Sequence, residues 1–329
     1  MASMNEFRWV ANDVCNWGRW GDTDELGTLN FITNEKVLEA ASLVKQGKVF
    51  PLGVDFGSSG PQGAFRFRQN PLHVMTIDGG DANTLIRYGP KWLRNPLAGE
   101  LSRYYENGPM RFNDDLAVMP LQAATQWDAL SHVYYDDQLY NGFPASSVTS
   151  LGAFHCGIDK VDVKGIASRG VLLDICALRG AEVFCELGDP ITPDELDEAA
   201  RVQGVNVGRG DVVLVRTGWW ERFLQTGDGG EPGAGLDWLC ASWLHDHEVA
   251  AVAADNLMVE NPVSGVDGVF LPMHMLCLRD MGLMLGEYWD LTALAADCAA
   301  DGVYEFQLIA PPLRVTGGVG SPLNPIAIK

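Results

Sequence analysis

The sequence predicts an α/β fold with parallel strand pairing. Three short apolar runs, 170–175, 210–216 and 249–254, have the length and composition of buried strands. Between them lie two helical signals. Thr192 stands before Pro193 with Glu195 three places on, and Leu236, Leu239, Trp243 and Leu244 recur at helical spacing through Asp246. Strand, helix, strand, helix, strand is the alternation of parallel βαβ pairing.

Taken in order, the elements are as follows. Residues 1–32 form a Trp-rich segment with Gly, Asp and Asn and no regular period over 9–30, so they read as irregular. A helix is predicted over 34–45, with Thr33 as N-cap, a stripe of Val37, Leu38, Ala41 and Val44, and Gly47 as its stop. Residues 53–64 read as a Gly/Ser-rich loop. The stretch on to about 108, broken by Pro71, Gly79, Gly80, Pro90 and Pro96, reads as short strands or excursions over a site.

After the central alternation, Pro272, Met273 and His274 open a helix that Gly282 ends, because proline suits a first turn and glycine the left-handed exit. Residues 283–287 are extended. Asp290 can cap a helix running to about Ala300, and 305–315 is a last strand broken at Pro311 and Pro312. With no internal repeat and no linker, 1–329 is expected to be a single domain.

Composition narrows the class of function. An apolar fraction of 47% and a charged fraction of 20% are those of an ordinary globular protein. With 23 basic and 43 acidic residues the net charge is −20, which repels phosphate backbones and anionic lipid, so neither nucleic acid nor membrane is an expected partner. No apolar run approaches the roughly 18 residues of a membrane span. Glu6 and Arg8 interrupt the start, which lacks the apolar core of a signal peptide. Seven cysteines, an odd number with no C-x-x-C pair, point to reduced thiols and a cytoplasmic location.

Several common motifs are absent, including the nucleophile elbow, the P-loop, the dinucleotide fingerprint and H-E-x-x-H. The Gly-rich stretch 227–235 lacks a lysine and reads as a surface loop. His245 and His247, two apart at a helix end, diverge, and His73 and His155 stand alone beside turns, although His73 could line a pocket.

What remains is a polar constellation. Gln122, Gln126, Asp128 and His132 fall within eleven residues, among Trp127 and other apolar or small side chains. Gln126 and Asp128, two apart, point to one side of an extended segment, and Trp127 between them points away, to pack behind the site or to touch substrate. His274 in a first helical turn and Glu287 near a strand end could reach the same cleft. Two carboxylates and two imidazoles are the ligand set of a divalent metal, the acid–base set of a hydrolase, or a buried ion-pair network.

The stretch Q-A-A-T-Q-W-D-A-L-S-H, from Gln122 to His132, resembles the motif H-x-G-T-H-x-D-x-P-x-H of the cyclase family of metal-dependent hydrolases, which groups kynurenine formamidase with isatin hydrolase. The length, Thr125, Asp128 and His132 are kept. Supporting stretches are Asn16-Trp17-Gly18-Arg19-Trp20, 24–30 (DELGTLN), Tyr140-Asn141-Gly142, 210–219, and His274 with Glu287, so the resemblance spans nearly the whole chain. It implies a cyclase-like, swivelling β/β/α fold, a β-rich barrel-like core with flanking helices, and assembly as a homodimer or homotetramer.

The resemblance also implies hydrolysis of a small-molecule amide, lactone or ester, in secondary or aromatic metabolism. Asp128, His274 and Glu287 would hold a divalent metal and His132 would be the catalytic acid–base, with Asp128 beside it. Gln122 and Gln126 replace two histidine ligands, Ala124 and Leu130 replace the glycine and proline, and an amide oxygen is a harder, neutral ligand than imidazole. Three readings stay open: one zinc or manganese ion with Gln126 as an added oxygen ligand and Gln122 toward substrate, a hard ion such as Mn²⁺ tolerating both amides, or no metal. Without metal, His132 and Asp128 would serve a cyclase or isomerase, or the chain would bind a small ligand without catalysis.

Overall fold

The computed structural model describes residues 1–62, 68–78, 109, 112–161, 164–180, 185, 188–227 and 233–329. Its centre is a nine-stranded sheet curled into a half-barrel. In chain order the strands are β1 (Val49–Pro51), β2 (Gln126–Asp128), β3 (Ala167–Asp174), β4 (Val212–Arg216), β5 (Ala251–Ala254), β6 (Met284–Glu287), β7 (Glu305–Ile309), β8 (Gly320–Pro322) and β9 (Ile326–Ile328). Across the sheet they run β1-β9-β7-β3-β4-β5-β6-β2-β8.

The middle four, β3 to β6, are all parallel. Their continuous apolar composition follows from position: Val212 to Val215, Ala251 to Ala254 and Met284 to Glu287 are buried throughout, as strands covered on both faces must be. The predicted parallel core is therefore observed. Flanking it on both sides are antiparallel strands, of which β1, β2, β8 and β9 are each three residues long. Strands this short leave no period to read. The strand expected over 305–315 ends at Ile309, before Pro311.

The helices used below are α1 (Met4–Asp13), α2 (Asn34–Ser42), α3 (Pro193–Gln203), α4 (Trp219–Thr226), α5 (Cys240–Asp246), α6 (Pro272–His274) and α7 (Thr292–Asp301), beside two single turns at Ile158–Val161 and Ile175–Leu178. Helix α3 has the anticipated capping box, with Thr192 and Glu195 bonding reciprocally, and Gly204 ends it in the left-handed region. Helix α1 differs from the irregular reading of 1–32. Ser3 and Glu6 form a capping box, and Phe7, Val10 and Ala11 bury one face while Trp9 stays exposed, which hides the period. In α2 Thr33 caps as expected, but the stripe is rotated: Ala40 is buried and Leu38 is 71% exposed. Leu236 lies in a two-residue strand instead of α5.

Helix α6 continues as a π-helix, Met275–Met281, and Gly282 (φ 72°) ends it. Two further strands, Leu72–Ile77 and Asp114–Val118, pair antiparallel; the first lies in the stretch read as short strands or excursions and the second beyond it, and 79–108 and most of the Gly-rich 227–235 lie outside the described residues. No described helix is long and apolar enough to cross a membrane.

Candidate metal centre

The site forms where the sheet changes direction, between parallel β6 and antiparallel β2. In register, Gln126 sits opposite Glu287 and Trp127 opposite Gly286. Thr125 locks the two strands together: its buried hydroxyl donates to the Tyr288 carbonyl at 2.6 Å and accepts from the Val54 N–H at 2.8 Å. The two-residue alternation of β2 then turns Gln126 and Asp128 to one side.

Asp128, His274 and Glu287 converge there, all buried, and one ligand atom from each lies within 4.8 Å of the others. Among the described residues this is the one such cluster of histidine, cysteine and carboxylate groups. The His274 Nε2 faces Asp128 Oδ2 at 3.7 Å and Glu287 Oε1 at 3.5 Å. Gln126 Nε2 donates to Glu287 Oε2, leaving its own Oε1 buried with no partner. Both oxygens of Asp128 are likewise buried and accept no hydrogen bond.

That last fact decides the chemistry of the pocket. An ionised carboxylate out of water costs several kcal/mol unless it meets a cation or hydrogen-bond donors. Burial, opposed by His132 and reinforced by Glu287, raises the Asp128 carboxyl to about 6. Burial would lower the His274 imidazole, but Glu260 and Glu287 outweigh it and raise the ring to about 10. A divalent cation would take the place of that proton on Nε2 and satisfy the bare oxygens of Asp128 and Gln126. The donor set present, two carboxylates, one imidazole and one amide oxygen, fits such an ion.

Glu260 is the residue the sequence reading missed. It is 2% exposed and accepts from the backbone N–H of Met273 and of His274, each at 3.0 Å, and from His274 Nδ1. It thereby fixes the ring so that Nε2 faces the cluster, the usual carboxylate support for a metal-binding histidine. An acidic residue closing the buried apolar stretch after β5 was the available signal. Glu260→Gln is expected to weaken binding of a divalent ion about 10- to 100-fold, read by competitive metal titration.

Backbone strain gathers at the same place. Val259 (φ 57°), Leu271 (φ 57°) and Tyr288 (φ 58°) adopt the left-handed region that side-chain-bearing residues avoid. They adjoin Glu260, the α6 turn and Glu287, and such conformations cost about 1–3 kcal/mol each. From the far side the Trp-rich segment clasps the π-helix. Asn16 N–H and Nδ2 bond the Asp280 and Met281 carbonyls at 3.0 Å each, and Trp17 Nε1 bonds the Arg279 carbonyl at 2.8 Å. These supply partners to carbonyls that a helix end leaves bare.

His132 lies beside the cluster in a turn, its side chain 20% accessible and its Nε2 3.6 Å from Asp128 Oδ1. Burial lowers its imidazole, which favours the neutral form that can accept a proton. Gln122 is buried with Nε2 unpartnered, and its backbone carbonyl accepts from Arg68 and Gln62. The structure packs Trp127 into the core behind the site. It is fully buried, its Nε1 donates to the Ala310 carbonyl at 2.9 Å, and its ring meets Trp289 edge-on at 4.9 Å, as alternation along β2 requires.

The other histidines stay apart. His73 is exposed beside Asp115, His155 stacks on Phe143, His245 faces Asp246, and His247 bonds the Trp243 carbonyl.

Comparison with known proteins bears on this geometry. The family model described as "Putative cyclase" matches residues 73–261. A crystal structure of a novel cyclase is 40% identical, covers 96% of this chain and 100% of its own, and superposes with a TM-score of 0.82. Isatin hydrolase A from Ralstonia solanacearum is 18% identical over 90% of this chain and 98% of its own, with a TM-score of 0.59. Isatin hydrolase A from Labrenzia aggregata, solved with benzyl benzoate, is 17% identical over 89% and 97%, with a TM-score of 0.57. No curated protein matches the chain.

Proposed function

Since the chain belongs to the cyclase family, we propose that it is a hydrolase of small amides, lactones or esters that works with one divalent ion. The observation that carries this reading is the buried Asp128 carboxylate, which has no hydrogen-bond donor on either oxygen and faces His274, with Glu287 completing the trio. Asp128, His274 and Glu287 would hold the ion, with Gln126 Oε1 as a further ligand. Three oxygens to one nitrogen make a hard set, favouring manganese over zinc. When bound, the ion would act as a Lewis acid toward the substrate carbonyl.

The protein's own groups supply the rest. His132 would take the proton of the attacking water and return it to the departing amine or alkoxide. Asp128, 3.6 Å away, stabilises the imidazolium that forms between those two steps. Gln122, with its amide unpartnered, offers a donor to the substrate. The names of the isatin hydrolases suggest cyclic aromatic amides as first substrates. We also propose a homodimer or homotetramer, on the family resemblance.

A second reading, a metal-free cyclase or isomerase using His132 and Asp128 for proton transfer, is favoured by one observation: glutamines stand at 122 and 126, where the family motif has imidazoles. Metal content separates the two. Protein purified without chelator is expected to carry close to one equivalent of manganese or zinc, and chelator should abolish turnover of N-formyl arylamines, isatins or lactones. Less than about a tenth of an equivalent, with chelator-resistant activity, would leave the metal-free reading standing.

A further inference from the structure

Arg68 stands out in a chain with twenty more acidic than basic residues. Arg8, Arg19, Arg169, Arg179, Arg216 and Arg279 each hold a carboxylate. Arg68 holds none among the described residues. Its Nη1 donates to the Gln122 carbonyl at 3.3 Å, and the rest of its five N–H donors have no partner there. The guanidinium is partly buried, and its charge bears on Asp128, His132 and Tyr288.

Gln62 is tied to the same segment. Gln62 Nε2 donates to the Ala123 carbonyl at 2.9 Å and to the Tyr288 hydroxyl at 3.3 Å, while Gln62 N–H donates to Asn70 Oδ1 at 2.8 Å. A planar fork of donors, tethered by one weak bond to the segment that carries Gln122, is matched in shape and charge to a carboxylate. An arginine needed only for structure would satisfy more of its donors within the protein, as Arg179 does with Glu195, Asp189 and the Pro190 carbonyl.

We propose that Arg68 is the anchor for a carboxylate on the bound ligand, and so selects substrates or products that carry one. The carboxylate has two possible sources. The substrate can bring it, or hydrolysis can make it, since opening an amide, lactone or ester with water leaves a carboxylate at the attacked carbon. The inference rests on the hydrolase reading only for the choice between these sources.

The test begins with binding, which needs no turnover. Benzoate and its neutral counterpart benzamide are titrated calorimetrically into metal-loaded wild type, Arg68→Met and Arg68→Lys, with melting curves to show that each variant is folded. Benzoate should bind wild type, weaken about 10- to 100-fold in Arg68→Met, and recover partly in Arg68→Lys or on addition of guanidinium ion. Benzamide should be indifferent to the change. Failure of wild type to bind benzoate, or equal benzoate affinity in wild type and Arg68→Met, overturns the proposal.

Kinetics then identify the source. If Arg68→Met raises KM for carboxylate-bearing substrates alone, the substrate brings the group. If KM for neutral substrates holds while inhibition by their products weakens, hydrolysis makes it. If benzoate binding follows the proposal and no substrate is turned over, the anion site stands and the hydrolase reading falls.

Discussion

Replacing Asp128 by asparagine should remove the metal without unfolding the protein. The side chain keeps its shape and loses its charge at the point where two carboxylate oxygens are buried and unpartnered. Breaking a buried charge pairing from one side costs about 3–5 kcal/mol, or roughly a hundred- to several-thousand-fold in ion affinity. The chelated protein should respond in the opposite sense. It no longer shelters a bare carboxylate, so its melting temperature should hold or rise, as happens when a functional group held at a cost to stability is neutralised. Metal analysis and paired melting curves read both. A variant that keeps one equivalent of ion would remove Asp128 from the ligand set, and one that fails to fold would make its role structural.

His132→Ala separates chemistry from metal binding. The ring lies beside the cluster, outside the three ligands, so the ion should stay while kcat falls about 10²- to 10⁴-fold, the range that general acid–base groups contribute. KM should change little, because the lost group acts on the proton in flight. Full turnover in this variant would sink the assignment, and loss of the ion would move His132 into the ligand set.

How much of this was legible depended on whether a feature is local. The α3 capping box and the parallel strands β3, β4 and β5 announce themselves within a dozen residues, through reciprocal hydrogen-bonding types and unbroken apolar runs. Asp128, Gln126 and His274 were legible as a set because strand alternation and helix-start chemistry constrain where they point. Trp127 shows the same alternation from the other side: the sequence allowed packing or substrate contact, and packing won because the sheet buries that face. Glu260 was harder to read. Its place at the close of the buried apolar stretch after β5 was the one local mark, and its partners, thirteen and fourteen residues ahead, are fixed by the turn into α6. The three-residue strands around β2 are fixed by their neighbours, not by their own sequence.

The clasp of Asn16 and Trp17 on the π-helix has a kinetic consequence. Those hydrogen bonds join residues 265 and 262 apart in the chain, and Gln126 meets Glu287 across 161. Contacts of such long range are made after their loops have been closed, and topologies rich in them fold slowly. The centre should therefore be among the last parts of the molecule to form. A refolding experiment that follows metal uptake alongside tryptophan fluorescence should find the ion entering in the slowest phase, after the parallel strands have already condensed.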